Sequence, residues 1–198
     1  MEAVMGVLLG IGLGAACGFR IFVPLLVASI AIHGGFLTVT PEFAWLGGTP
    51  ALITLSIATL LEIAGYYLPV IDNTLDVLGA PAAVIAGTIL AAGFIGHMDP
   101  MLQWGLAAIA GGGAAGVIHG GMAAIRAAAS ATTGGLGNSA VPTAETVSAS
   151  LVSILACVLP VLAVLLLGAA IYLLVRFAIS LKRKLAQAGT PDKVEVQD

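Results

Sequence analysis

Charged residues inside apolar stretches are the ones in this chain whose types and spacing could do chemistry. Arg20 interrupts a long apolar run, and Glu62 lies in the middle of a second one. A charge buried in hydrocarbon is costly unless it is paired, and such residues often mark ion or solute pathways. We expect Arg20 and Glu62 to form an ion pair. The pair either locks two helices together or borders a hydrated pocket in which Glu62 titrates or binds a cation.

Two carboxylates, Asp72 and Asp76, lie one helical turn apart just before a third apolar run. This spacing places both on one face of a helix. Such a pair can bind a cation or share a proton. The alternative is a helix cap at the water interface, with Asp72 or Asn73 as the capping residue.

A third group combines a second buried arginine with a polar loop. His119 and Arg126 are seven residues apart and share a helix face. His119 could instead hydrogen-bond a neighbouring helix. The predicted loop at 132–138 has hydroxyls and flexible glycines that can turn backbone N–H groups toward an anion. It lacks the Gly-Lys-Ser/Thr ending of a P-loop, and the alternative is an ordinary loop. Its candidate residues are Thr132, Thr133, Gly134, Gly135 and Asn138.

Known catalytic and metal-binding patterns are missing from the sequence. It contains no nucleophile elbow, no H-E-x-x-H motif and no carboxylate pair with a histidine base. The three histidines have no metal-ligand spacing. We therefore expect neither an enzyme nor a protein with a metal or other cofactor. Cys17 and Cys157 lie in apolar segments and are interpreted as small membrane-helix residues.

The composition is that of a membrane protein. Hydrophobic residues make up 60% of the chain and charged residues 9%, whereas a soluble domain has about 25% charged residues. Residues 1–181 contain no lysine and three arginines, too little charge to cover a soluble fold. The net charge is -3 and the sequence predicts no basic face, so we expect no nucleic-acid partner. The first residues lack the basic segment of a signal peptide, so we expect the first apolar run to be retained.

The positioning elements are predicted to be membrane helices in an all-α, polytopic fold. We expect a single transmembrane domain at 1–181 and a polar, disordered tail at 182–198. Since about 20 apolar residues span a bilayer, five spans are predicted. The first and last apolar runs are too long for one span and should be kinked or divided near Pro24 and Pro160. A divided run would raise the count to six. The five runs are 3–32, 51–68, 77–96, one from about Met101, and 147–181.

Glycines repeat every four residues along two of these helices. Small residues at this spacing let two helix backbones approach closely in lipid. They predict helix packing within the chain or, alternatively, a homo-oligomer or partner interface. The two glycine-rich segments each run toward an arginine, as paired interrupted helices do in transporters; chance similarity is the alternative. The packing residues are Gly6, Gly10, Gly14 and Gly18 in the first helix and Gly112, Gly116 and Gly120 in the fourth.

A basic cluster, Lys182-Arg183-Lys184, predicts that the carboxyl end is cytoplasmic. Five spans would then put the amino terminus outside, and six would put it inside. Membrane lipids are the expected partners.

Three pieces of the sequence together resemble a known family. They are residues 18–25 around Arg20, the stretch from Leu60 through Asp72 to Asp76, and the stretch from Thr132 to Glu145. The chain is similar in these pieces to the bacterial membrane family catalogued as domain of unknown function 4126, over about residues 5–175. The resemblance implies a small multi-pass inner-membrane protein without an established activity.

These observations favour a transporter or channel for an ion or a small charged solute. Its polar interior would be built from the charged residues and the 132–138 loop, because unwound backbone beside helix breaks can line a cavity. One alternative is a structural or partner-binding protein packed through its glycines. Another is a phospholipid-headgroup binder that uses Arg20, Arg126 and the Gly134-Gly135 turn.

Overall fold

The computed structural model describes residues 2–65, 69–96, 98–133 and 140–188, and in these ranges the regular structure is helical. Short 3₁₀ and π segments join the α-helices, the π segment being continuous with α5 and α6. In chain order the elements are α1 (Glu2–Ala16), α2 (Phe22–His33), a 3₁₀ helix (Pro41–Gly47), α3 (Thr49–Gly65), α4 (Pro69–Phe94), α5 (Pro100–Leu106), a π segment (Ala107–Gly112), α6 (Gly113–Thr133), α7 (Ala140–Val158) and α8 (Pro160–Ala188).

Several of these helices are long and apolar enough to cross a bilayer. Within the described residues these are Pro100–Ala129, Val141–Val158 and Pro160–Phe177. The 3₁₀ helix and α3, bent by 62° relative to each other, add a fourth if they count as one span. Three shorter apolar helices accompany them: Val4–Ala16, Phe22–His33 and Leu78–Phe94. The predicted all-α, polytopic membrane fold is therefore confirmed.

Helix α1 lies at the centre and packs directly on α4 through its glycine face. A Cβ atom at Gly6, Gly10 or Gly14 would lie 2.6–2.7 Å from a backbone carbonyl oxygen of α4. The contacted carbonyls move backward along α4 as α1 advances, so the two helices are antiparallel. At Gly14 the π segment also joins the contact, because the same Cβ would lie 3.0 Å from Gly111 Cα. Three backbones thus meet where only glycine fits.

The first long apolar run is a helical hairpin with its tip inside the bundle. The start of α1 lies against Phe94, and the chain after α2 returns to the same place, where the Thr40 N–H donates to the Gly93 carbonyl at 2.9 Å. At 1.5 Å per residue, α1 and α2 are about 22 and 18 Å long, shorter than the ~30 Å hydrocarbon core. Residues 17–21, between the two helices, are therefore the tip of the hairpin.

The neighbouring helices continue well past this tip. A Cβ at Gly18 would lie 2.5 Å from the Ala115 carbonyl oxygen of α6. From Ala115, α6 runs on to Thr133 for about another 27 Å. The hairpin tip thus lies near half the height of the bundle.

The last long apolar run is divided at Leu159 into two antiparallel helices. Ala156 of α7 and Ala163 of α8 both lie against Gly12 of α1. Followed backward along the chain from Ala156, α7 approaches Arg20. Followed forward from Ala163, α8 passes Ala15 of α1, which packs in one hydrophobic cluster with Leu167 of α8. Pro160 is the first residue of α8, a position that tolerates its missing N–H. The break expected near this proline is present.

The structure sets the helix bounds around the predicted polar segments. Helix α4 begins at Pro69, so residues 72–76 lie within this helix, ahead of the apolar run predicted at 77–96. Helix α6 continues through Thr133, because alanines favour helix until the glycines at 134 and 135. Helix α7 begins at Ala140, two residues after the predicted loop at 132–138 and before the apolar run predicted at 147–181. Helix α8 includes residues 182–188 of the predicted tail; residues 189–198 lie outside the described part of the chain.

The second glycine stripe has a mixed environment. Gly112 and Gly116 face Val84 of α4, since a Cβ atom would lie 2.9 Å from the Val84 carbonyl oxygen and 3.0 Å from its Cγ2 atom, respectively. Gly120 is exposed, and no atom of the described residues lies within 4 Å of its Cβ position. The stripe therefore serves packing at two of its three predicted positions.

Gly14→Ala and Gly120→Ala form a matched test of this packing. Adding a methyl at Gly14 forces the α1, α4 and π-segment backbones apart, and we expect a loss of about 1–3 kcal/mol in the free energy of unfolding. The same substitution at Gly120 should be neutral or stabilising by up to about 1 kcal/mol, because alanine favours helix. Thermal unfolding of the purified variants in detergent checks both. Equal effects would contradict the close three-backbone contact.

Candidate functional site

The break between α1 and α2 places Arg20 in the interior. The N–H groups of Cys17, Gly18 and Phe19 donate to carbonyls three residues earlier at 3.0–3.1 Å, which tightens and ends α1. Helix α2 starts at Phe22, with Pro24 in its first turn, where a missing N–H is tolerated. Arg20 stands between the two helices and is 1% exposed. The kink expected near Pro24 is thus a full break just before that proline.

The Arg20 guanidinium is directed toward α7. Its Nη2 atom lies 3.6 Å from a carboxylate oxygen of Glu145 and donates a 3.0 Å hydrogen bond to the Pro142 carbonyl. Both side chains of this ion pair are fully buried. The first two turns of α7 therefore bind Arg20, at the break between α1 and α2, through one charged contact and one backbone contact.

Arg126 reaches the same carboxylate from α6. Its Nη1 atom donates directly to the second oxygen of Glu145. Side chains on a helix lean toward its amino end, so Arg126 points back along α6 toward the level of the hairpin tip. One carboxylate thus bridges two arginines that are far apart in the sequence.

Glu62 of α3 binds the backbone on the other side of the break. Its two carboxylate oxygens accept hydrogen bonds from the N–H groups of Ile21 and Phe22 at 2.7 and 3.0 Å. These are the first amides of α2, which have no partner within their own helix. The two residues expected to pair thus meet at the same helix break, where Glu62 binds the amides that follow Arg20. The ion pair of Arg20 at 3.6 Å is with Glu145.

These four side chains, Arg20, Glu62, Arg126 and Glu145, are called the buried charge cluster below. All are at most 8% exposed. Two positive and two negative charges balance, which lowers the cost of removing them from water. The cluster connects α3, α6 and α7 to residues 17–21, the segment between α1 and α2.

Polar residues farther along α7 do not add to the cluster. The hydroxyls of Thr146, Ser150 and Ser153 donate to carbonyls four residues earlier, at 2.6–2.9 Å. A cavity of about 1280 Å³ lies elsewhere, between the start of α1, residues 36–42 and the α7–α8 turn, and its lining contains no member of the cluster.

The other predicted site residues have different positions. His119 is buried on α6, two turns before Arg126. Asp72 lies within the first turn of α4 and not at its cap, since that helix begins at Pro69; Asp76 follows one turn later. Thr132 and Thr133 are the last residues of α6. The predictions for Gly134, Gly135 and Asn138 lie outside the described residues.

Glu145 was missed as a site residue in the sequence. It stands at the end of the polar stretch, where an acidic residue is typical of a surface loop. A signal was present, because Glu145 is the only acidic residue between Asp99 and Asp192, in a region that also holds the buried Arg126. Electroneutrality of a buried site would have pointed to it.

Comparison with known proteins identifies the family. A model described as domain of unknown function (DUF4126) matches residues 7–180. The chain belongs to this family. The resemblance found in the sequence is confirmed, and every member of the buried charge cluster lies within the matched residues. No curated protein and no solved structure gives a significant match.

A double-mutant cycle tests the shared carboxylate. Glu145→Leu leaves two arginines buried without it, and we expect a loss of about 3–5 kcal/mol in the free energy of unfolding. Arg126→Leu should also destabilise, whereas the double variant should lose at least about 1 kcal/mol less than the sum of the two. Denaturant unfolding in detergent measures the free energy of unfolding of the wild type, the two single variants and the double variant.

The matched control is Arg176→Leu, which removes an exposed arginine of α8. It should change stability by no more than about 0.5 kcal/mol. Strict additivity of Glu145→Leu and Arg126→Leu would mean that the two side chains do not interact.

Proposed function

We propose that this membrane protein moves an ion or a small charged solute across the bilayer, and that the buried charge cluster is its binding site. The observation that carries the proposal is the location of the cluster: four charges meet at a helix break near half the height of the bundle. Charges at such a depth are costly, and a well-packed apolar contact would hold the helices at least as well. Their presence at this depth is therefore better explained by a ligand than by stability.

The broken hairpin supports the same proposal. In many transporters, discontinuous helices end near the middle of the membrane and direct their free backbone groups at the solute. Here α1 ends and α2 begins at residues 17–21, beside Arg20. Unwound backbone at this depth is tolerated where it is covered by protein or lines a polar cavity. A charged solute would meet both the arginines and the amino end of α2, whose first amides are bound by Glu62 in this structure.

The alternatives receive less support. Gly6, Gly10 and Gly14 of α1 face α4 of the same chain, so they are occupied by internal packing and do not offer a surface for a partner. Arg20 and Arg126 are buried against Glu145, which leaves them poorly placed for a lipid headgroup. We retain membrane lipids as the expected surroundings and propose no enzymatic activity.

The membrane and its orientation are also part of the proposal. The basic residues 182–184 favour a cytoplasmic carboxyl end. By the family resemblance, we propose the inner membrane of a bacterium.

Flux measurements in liposomes test the function. Purified protein is reconstituted in vesicles loaded with potassium chloride, and chloride release and proton entry are followed with an electrode and a pH-sensitive dye. We expect flux above that of empty vesicles for at least one of these ions. Glu145→Gln and Arg126→Gln should each reduce it at least about tenfold, because losing one partner of a desolvated charge pair costs about 2–5 kcal/mol.

Arg176→Gln serves as the control and should retain wild-type flux, since Arg176 is exposed and remote from the cluster in the sequence. Wild-type vesicles that behave like empty ones for both ions would argue against this proposal. Wild-type flux in the two cluster variants would separate transport from the cluster.

A further inference from the structure

The turn between α7 and α8 stops short of the end of the bundle toward which it points. Ala156 and Ala163 both lie against Gly12 of α1, so the turn between them extends only about 5 Å beyond Gly12 at 1.5 Å per residue. In the same direction α1 continues from Gly12 back to Glu2, about 15 Å. The cavity of about 1280 Å³ lies beyond the turn, beside the first turns of α1.

The wall that this turn contributes to the cavity is apolar. Residues 157–162 read Cys-Val-Leu-Pro-Val-Leu, whereas turns that face water usually carry glycine, asparagine, aspartate or serine. Val158 is 68% exposed and Leu159 is 52% exposed. An apolar recess without polar partners does not hold ordered water. A turn of this composition is therefore suited to contact with hydrocarbon.

The opposite wall, formed by residues 36–42, is polar. It contributes Thr38, Thr40 and Glu42 to the lining. Glu42 is exposed in the first turn of the 3₁₀ helix, and it is the one charged side chain among the described residues that line the cavity. A single carboxylate favours a cationic group on the ligand. The cavity thus combines an apolar wall with an acidic one, which is the polarity of an amphiphile that carries a protonated amine.

The cavity also reaches the outer surface of α8. Leu162 and Leu165 of α8 line it together with Met5 of α1, and these side chains are 42%, 65% and 45% exposed. Surface of this kind on a membrane helix faces lipid tails. A hydrocarbon chain of the surrounding bilayer can therefore enter the cavity from the side, between α1 and α8, without crossing an aqueous phase.

We propose that this cavity binds one phospholipid with a protonated amine in its headgroup, such as phosphatidylethanolamine. One acyl chain lies against the α7–α8 turn, and the ammonium group lies beside Glu42. The chain gains van der Waals contacts that the recessed wall would otherwise lack. The lining contains no member of the buried charge cluster, so this lipid site is separate from the proposed transport site and does not depend on it.

Native mass spectrometry of the purified protein in detergent tests the headgroup. The probes are phosphatidylethanolamine and phosphatidylglycerol with identical acyl chains, added at equal concentrations. We expect the wild type to retain one phosphatidylethanolamine with about a threefold preference over phosphatidylglycerol, the effect of an ion pair near the surface. Glu42→Gln should retain the two lipids equally. An unchanged preference in this variant would overturn the contact with Glu42.

Leu165→Trp and Leu166→Trp form a matched test of the cavity itself. The two leucines are neighbours on α8, and both are exposed, but only Leu165 lines the cavity. Leu165→Trp narrows the cavity and should lose both bound lipids, whereas Leu166→Trp should retain them as the wild type does. If Leu165→Trp does not fold, Leu162→Trp repeats the test from a second position of the lining.

Equal lipid retention by the cavity variant and by Leu166→Trp would overturn the site. A dimer of the wild-type protein that retains no lipid would assign the cavity to a second copy of the chain and would also refute the proposal. Lipid retention with no ion flux in liposomes would support the lipid site and count against transport alone.

Discussion

The neutralisation of Arg20 is the constraint on which the rest of the structure depends. The helix is interrupted at residues 17–21, and this interruption buries the Arg20 guanidinium near half the height of the bundle. Water cannot compensate its charge there. Glu145 supplies the counter-charge, and Arg126 shares it. Glu62 adds a second negative charge and binds the first amides of α2. Each contact satisfies one group at the break, and together they fix where α3, α6 and α7 stand.

Glycine makes this geometry sterically possible. The α1 backbone approaches α4 at Gly6, Gly10 and Gly14, and the break itself approaches α6 at Gly18. A larger residue at these positions would hold the hairpin away from its neighbours, and the arginines would then be too far from Glu145 to pair. Close helix packing in lipid relies on such van der Waals contact. Lipid tails are as apolar as the helix surfaces, so the hydrophobic effect does not drive helices together there. The glycines therefore permit the close helix packing that the charge pairs require.

Much of the fold could be predicted from the sequence, since apolar runs, prolines and glycine spacing act locally. The breaks beside Pro24 and Pro160 and the buried state of Arg20, Glu62 and Arg126 follow from such patterns. The partner of Arg20 could not be predicted, because it depends on how α7 docks on the hairpin, more than 120 residues along the chain. The return of α2 to the start of α1 is likewise a tertiary feature, since a broken helix and a hairpin have the same hydropathy.

The depth of the hairpin tip is the central claim, and electron paramagnetic resonance in a bilayer tests it directly. A spin label at Leu61, which is 67% exposed and adjacent to Glu62, is compared with one at Met101, near the end of the bundle, with Cys17 and Cys157 replaced by alanine. The account predicts that Leu61 is relaxed strongly by oxygen and weakly by a water-soluble nickel complex, with the reverse order at Met101. Nickel accessibility at Leu61 equal to that at Met101 would place the cluster in the headgroup region and contradict the account.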